Sequence, residues 1–469
     1  MTTWIARTAA GVVIVRDHDA GFLVDRPAEG HFRTPCDNVD GLDLLPVVGL
    51  PADMDALTGW YDSIERRVLL AQFPEPYFGE PMVMLGEGRR VQRAYPISET
   101  ELIAEDGTEV TLTADGLTLT TGAATTVLTK TDCYIEQQVT FAADGVTLAG
   151  TLIKPASAGP HPAAVIVHGA AGGQRDFCRL LVSPLLHAGV AVLIYDKAGH
   201  GRSEGSPPTI FDQATAARAG LDLLAVLPGI DPDRRGLVGF SNGMWAVPMV
   251  AANNPAVSFV AGIGAPGVSM GESEVHRRTK MLRDAGVGPE TVATVGEAWR
   301  CIFAIVSAGA AAGDISDRLT AALTAIEAAD DLSRYEIPDY VRENPMLSPI
   351  PPLMPVADLI EMLVAGPDAE LGYDPAGDYA RISCPVFLQY GALDTSVPVE
   401  VSSTRILAAA PGATIVVYPD LEHLLTLLPS GVTGLEPESV IYGFHRFTFG
   451  DTVGRHLSDW LRETLVTVR

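Results

Sequence analysis

The sequence predicts an α/β protein: a mostly parallel sheet with helices on both faces, preceded by a β-rich unit and interrupted by a helical insertion. Three observations carry this. Apolar runs at 163–167, 190–195, 236–240 and 259–263 alternate with helix-like stretches, and a run that is apolar throughout fits a strand buried on both faces. The first 135 residues look β-rich and irregular, and from Pro81 they alternate, with Asp106-Gly107 and Asp115-Gly116 between alternating runs, which is a hairpin signature. Residues 267–378 lose the strand rhythm and carry helical patterns instead.

Composition bounds the rest. A chain of 469 residues, 47% apolar, can bury a large core and hold more than one structural unit. Its formal net charge of −26 repels phosphate backbones and anionic lipid, so neither nucleic acid nor a membrane surface is expected as a partner. The first residues, Met1-Thr2-Thr3-Trp4-Ile5-Ala6-Arg7, lack the basic and long apolar regions of a signal peptide. No apolar run approaches about 18 residues, so no membrane span is expected. The five cysteines (Cys36, Cys133, Cys178, Cys301, Cys384) are scattered, without C-x-x-C spacing. They read as reduced thiols of a cytoplasmic protein, with no metal site and no cofactor.

Taken in order, short strands are expected at 4–7, 11–16 and 21–25. A looped stretch rich in Pro and Asp follows at 26–55, then a short helix near 54–70 and strands from 82 onward. This β-rich unit, 1–135, carries no obvious chemistry. It is a scaffold, a contact between copies of the chain that leaves a homo-oligomer open, or one wall of a cleft. A hairpin about Asp144-Gly145 leads into a catalytic domain of 136–266 and 379–469. Helices are expected at 180–188, 214–227 and 244–252, and strands resume at 386–390 and 414–418 before a last helix at 451–464. The insertion, 267–378, reads as a helical cap with helices at 274–285, 289–308, 317–330 and 356–364, broken by Pro349, Pro351, Pro352 and Pro355.

The chemistry centres on Gly239-Phe240-Ser241-Asn242-Gly243, which ends the strand at 236–240 and opens a helix. A serine at such a turn is held in a strained conformation, and the residues two before and two after must be small. A serine hydroxyl needs a base, and the base an orienting carboxylate. Asp394 follows the strand at 386–390 and His423 follows the strand at 414–418. Chain order Ser241, Asp394, His423 suits a nucleophile elbow. The N–H of Asn242, at a helix N-terminus, is one candidate oxyanion donor. The N–H of Ala170, in Val167-His168-Gly169-Ala170-Ala171-Gly172-Gly173, is the other. His168 reads as a brace for that loop. The loop at 196–205, rich in Gly and charge, lacks both phosphate-binding patterns and reads as a tight loop at the carboxyl edge of the sheet.

These motifs resemble the α/β-hydrolase superfamily over roughly 135–469, and within it the dienelactone hydrolase and prolyl oligopeptidase-like esterases with an N-terminal β domain. Two departures stand out. The first 135 residues are too short for a β-propeller, and the oxyanion loop is His-Gly-Ala-Ala-Gly-Gly rather than His-Gly-Gly-Gly. The resemblance implies cleavage of an ester, thioester or amide of a small-molecule acyl substrate through an acyl-serine. Two alternatives stay open. One is an acyltransferase whose cap, apolar at Ile302, Phe303, Ile305 and Leu323, builds a dry pocket. The other is a lyase, cyclase or binding protein on the same fold.

Overall fold

The computed structural model describes residues 2–8, 11–18, 21–26, 31–36, 38–72, 82–170, 173–334, 348–366, 368–427 and 446–467. Its central sheet has eight strands. In spatial order they are Tyr134–Ala143, Val146–Pro155, Ala191–Tyr195, His161–Val167, Ile230–Phe240, Val257–Ile263, Val386–Gly391 and Thr414–Tyr418. The first two pairings are antiparallel and the other five are parallel. Neighbouring residues on each strand serve opposite faces, as a strand covered on both sides demands. Val165, Leu237 and Leu388 pack under the helices Ile210–Leu224 and Gly243–Asn253. Ile166, Val238 and Phe387 pack with Val182–His187 and Val453–Thr467.

Local signals set the helix ends. Thr209 caps its helix in a capping box with Asp212, and Ser269 does the same with Glu272 at the start of Met270–Asp284. The next helix, Pro289–Ala308, opens on proline and stops at Gly309 in the left-handed region. By length and composition it could cross a membrane. Here its Val295, Ile302 and Ile305 pack against Leu319 and Leu323 of Ile315–Glu327 and Leu359 of Val356–Val364. Ile302, Ile305 and Leu323, expected above to line a dry pocket, are buried in the core these helices share. Phe303 stacks on Trp299, and the Arg278 guanidinium lies over both rings.

The β-rich unit is two sheets. Five antiparallel strands run in the order His31–Cys36, Gly21–Arg26, Gly11–His18, Thr3–Thr8 and Leu45–Pro46. Eight more form an up-and-down meander: Gly59–Asp62, Arg67–Gln72, Val83–Glu87, Arg90–Pro96, Glu101–Ala104, Glu109–Thr113, Gly116–Thr121 and Ala124–Lys130. The last pairs back onto the first through Thr129 with Asp62 and Lys130 with Tyr61, which closes a ring. Closure removes the free edges, and Leu70, Leu85, Leu102, Leu117 and Leu128 form its core. A ninth strand, Arg446–Thr448 from the carboxyl-terminal part, pairs with Arg90–Pro96.

Two expectations fail here. The helix near 54–70 is only Met54–Leu57. It ends at Thr58, because Trp60-Tyr61 and Val68-Leu69-Leu70 belong to the first two barrel strands. The stretch at 26–55 is not all loop, since His31–Cys36 pairs with Gly21–Arg26.

Candidate active site

Ser241 stands between the strand Ile230–Phe240 and the helix Gly243–Asn253 with φ of 50°, a left-handed conformation uncommon outside glycine. Its N–H donates to the Ile263 carbonyl at 2.9 Å, and its carbonyl accepts from the Met244 N–H at 2.8 Å. Small flanks are required, as expected, but the obstacles are specific. A Cβ at Gly243 would lie 2.5 Å from the Val167 carbonyl oxygen and 2.6 Å from that of His168, at the end of the adjacent strand. At Gly239 it would meet the Met244 sulfur of the following helix at 2.6 Å. The Asn242 side chain accepts from Gln213 Nε2 at 2.8 Å.

Asp394 and His423 meet where the loops after two neighbouring strands converge. His423 Nδ1–H donates to Asp394 Oδ2 at 2.7 Å. The other carboxylate oxygen accepts the N–H groups of Ser396 and Val397, both at 2.8 Å. Both side chains are buried. Burial alone would lower the imidazole pKa, but the charge and hydrogen bond of Asp394, with the charge of Glu422, hold it above its ordinary value. The Ile263–Gly264 backbone ties this pair to the serine. Ile263 holds the Ser241 N–H, and a Cβ at Gly264 would lie 2.8 Å from His423 Cε1.

The loop after His161–Val167 approaches from the other side. His168 is fully buried, donates through Nε2 to the Tyr195 carbonyl at 2.5 Å, and has Cys178 Sγ at 3.6 Å. Burial and the nearby Lys197 charge push its pKa down to about 3. A neutral, spoken-for imidazole of this kind is a brace. Ala170 is exposed; Ala171 and Gly172 lie outside the described residues. Among the described residues, the N–H groups of Ala170 and Asn242 are not spent on any other backbone acceptor. In the loop at 196–205, Asp196 accepts the N–H groups of Arg175 at 2.7 Å and Arg202 at 3.0 Å. The Lys197 N–H donates to the Gly173 carbonyl at 2.7 Å, so that loop sits beside the one that follows His161–Val167, at the carboxyl edge.

Four residues here were not singled out by sequence. Glu422 flanks His423 and accepts from the Leu424 N–H and the Thr426 hydroxyl. Burial raises its pKa above the usual carboxylate value. Gly264 makes room for the imidazole. Lys197, buried beside the loop after His161–Val167, bonds the Gly169 and Ala170 carbonyls. His276, on Met270–Asp284, feels the charge of Asp394 and keeps a buried Nε2 without a hydrogen-bond partner. A Ser-x-x-Glu box flags the helix that carries His276, but nothing in the sequence places these side chains. Among the described residues, no group of three or more His, Cys, Asp or Glu is arranged to hold a metal ion.

Fold and sequence together define the class. The α/β hydrolase family profile matches residues 164–433, more than half of the chain. The chain belongs to the α/β hydrolase family. Solved structures similar to the chain include a 2,6-dihydroxy-pseudo-oxynicotine hydrolase, 16% identical over 70% of this chain and 68% of that one, with a TM-score of 0.41. An esterase of Pyrococcus furiosus is 15% identical over 70% of this chain and 91% of its own, TM-score 0.41. A proline iminopeptidase of Mycobacterium smegmatis is 16% identical over 71% and 100%, TM-score 0.41. Likeness this distant says nothing of substrate. None of the curated proteins matches the chain by sequence.

Proposed function

We propose that the chain is a serine hydrolase that cleaves an ester, thioester or amide of a small to medium acyl compound through an acyl-serine. The observation that supports this most is the meeting of three features at one sheet edge. They are a serine held at φ of 50°, a buried Asp394–His423 hydrogen bond, and the Ile263–Gly264 backbone touching both. With Nδ1 engaged by Asp394, His423 has Nε2 left to take the proton as Ser241 Oγ attacks the carbonyl carbon. The N–H groups of Asn242 and Ala170 receive the oxyanion, each worth a factor of about 10²–10³ in similar sites. The tetrahedral intermediate collapses as His423 returns the proton to the leaving group. Water, deprotonated by the same imidazole, then releases the acid and regenerates Ser241. The acyltransferase alternative loses the support drawn from the cap, whose apolar residues pack on one another.

The test uses the purified full chain, a fluorophosphonate probe and an activated ester. Stoichiometric labelling at Ser241 is expected, with the Ser241→Ala variant unlabelled and slower by about 10⁵-fold or more. Near-normal turnover by the Ser241→Ala variant would refute the proposal. Added amine or alcohol acceptors should leave free acid as the product.

A further inference from the structure

Lys197 is a buried cation outside the Ser-Asp-His set, on the loop that follows Ala191–Tyr195. Its Nζ donates to the Gly169 carbonyl at 2.6 Å and to the Ala170 carbonyl at 3.2 Å. Its own backbone N–H donates to the Gly173 carbonyl at 2.7 Å. One residue thus grips the oxyanion loop at both ends. A planar trans peptide points its C=O and N–H in opposite directions. Fixing the Gly169 carbonyl on the ammonium therefore aims the N–H of the same peptide, that of Ala170, away from Lys197. The side chains behind the loop leave little slack, since a Cβ at Gly169 would lie 2.6 Å from the Phe240 ring.

We infer that Lys197 is a positioning residue for the oxyanion hole: it orients the Gly169–Ala170 peptide and polarises the Ala170 N–H toward the developing oxyanion. This rests on the acyl-serine reading above. An ammonium on a peptide oxygen draws electron density through the amide and strengthens the opposite N–H as a donor. The gain appears only when negative charge develops on the substrate oxygen, so it belongs to kcat rather than KM.

The ammonium is exposed to titration by its surroundings. Burial lowers the Lys197 pKa to about 8. The ionisable groups coupled to it are His168 on that loop and Cys178 on the segment Arg175–Leu181; Asp196 and His200 lie on its own loop, where Asp196 faces Arg175 and Asp176 acts on Cys178. His168 is held neutral, and burial holds the Cys178 thiol protonated. Lys197 is therefore the cation that polarisation depends on, and its loss of a proton removes that effect as pH rises past about 8.

The experiment compares wild type, Lys197→Met and Ser241→Ala on an activated ester from pH 6 to 10, with melting curves for each. Expected for Lys197→Met is a fall of about 10- to 100-fold in kcat, below the loss of a whole donor. KM should stay within about twofold, and the alkaline decline of wild-type kcat should be absent from the variant. A kcat within twofold of wild type overturns the inference, as does a loss confined to KM. Where Lys197→Met does not fold, a wild-type kcat that stays level from pH 7 to 10 overturns it. The two failures are separable. An inactive Ser241→Ala beside an unimpaired Lys197→Met sinks only the role of Lys197, whereas an active Ser241→Ala sinks the acyl-serine reading itself.

Discussion

Two of the places where the protein buries charge use it differently. In the hydrolase domain, Asp394, His423 and Glu422 gather on loops beyond the carboxyl ends of neighbouring strands. In the β-rich unit, Arg16 and Asp25 of the five-stranded sheet meet Arg93 and Glu105 of the barrel, all four at most 1% exposed. Arg16 binds Asp25 at 2.7 Å, Arg93 binds Glu105 at 2.7 Å, and Arg93 reaches Asp25 at 3.6 Å. Burial drives the Glu105 pKa up to about 7, against the pull of Arg93. A perturbed carboxylate is thus present in both, and perturbation alone does not mark a reactive site. The distinction is in the backbone beneath. At the sheet edge Asp394 holds the His423 imidazole, and Ser241, linked to that pair through the Ile263–Gly264 backbone, is only half-buried. Between the two β sheets, arginines that keep their protons meet carboxylates with no nucleophile among them, and the network joins one sheet to the other.

Two substitutions turn this contrast into opposite outcomes. Asp394→Asn keeps the shape of the side chain but removes the charge that fixes the His423 tautomer. We expect kcat to fall by about 10⁴ while the melting temperature moves by only a few degrees. Arg93→Met strands the Glu105 carboxylate in a dry interface, while Asp25 keeps Arg16. Losing one partner of a buried pair costs about 3–5 kcal/mol, read as a lower urea midpoint, with kcat of the folded protein within about twofold of wild type. An Arg93→Met enzyme that folds normally but has lost turnover would break the contrast, and so would an Asp394→Asn enzyme that unfolds.

The same contrast explains what the sequence makes legible. The helices Pro289–Ala308 and Val356–Val364 and the strand Thr414–Tyr418 fall where periodicity puts them, because a buried face imposes its period on its own residues. The strand-turn-helix about Ser241 is equally local, since its glycines answer to contacts a few residues away or at the next strand. Residues 59–70 mislead because their strand character is set by partners across the barrel, not by their own pattern. Arg93 and Glu105 look like ordinary polar positions of a half-exposed strand. Only the packing of a second sheet buries them. Lys197 and Glu422 escape for a related reason. Their partners are backbone carbonyls, N–H groups and one imidazole, brought near by tertiary approach, and no spacing in the chain encodes that.

Glu422 offers the finest test of how the sheet-edge cluster works. Its charge is among the influences that hold His423 above its ordinary pKa, after burial, which opposes, and Asp394. On the mechanism proposed above the imidazole serves as a base only when neutral, so activity should rise with pH through the His423 pKa, and a raised pKa puts that acid limb above the ordinary imidazole range. Glu422→Gln keeps an oxygen for the Leu424 N–H and the Thr426 hydroxyl but removes the negative charge. A proton on His423 then becomes easier to lose, and the acid limb of kcat/KM should move to lower pH. The plateau should change by less than about threefold, because Asp394 still holds Nδ1. A limb that stays in place would mean that Asp394 alone sets the basicity of His423, leaving Glu422 a bracket for the loop that carries it.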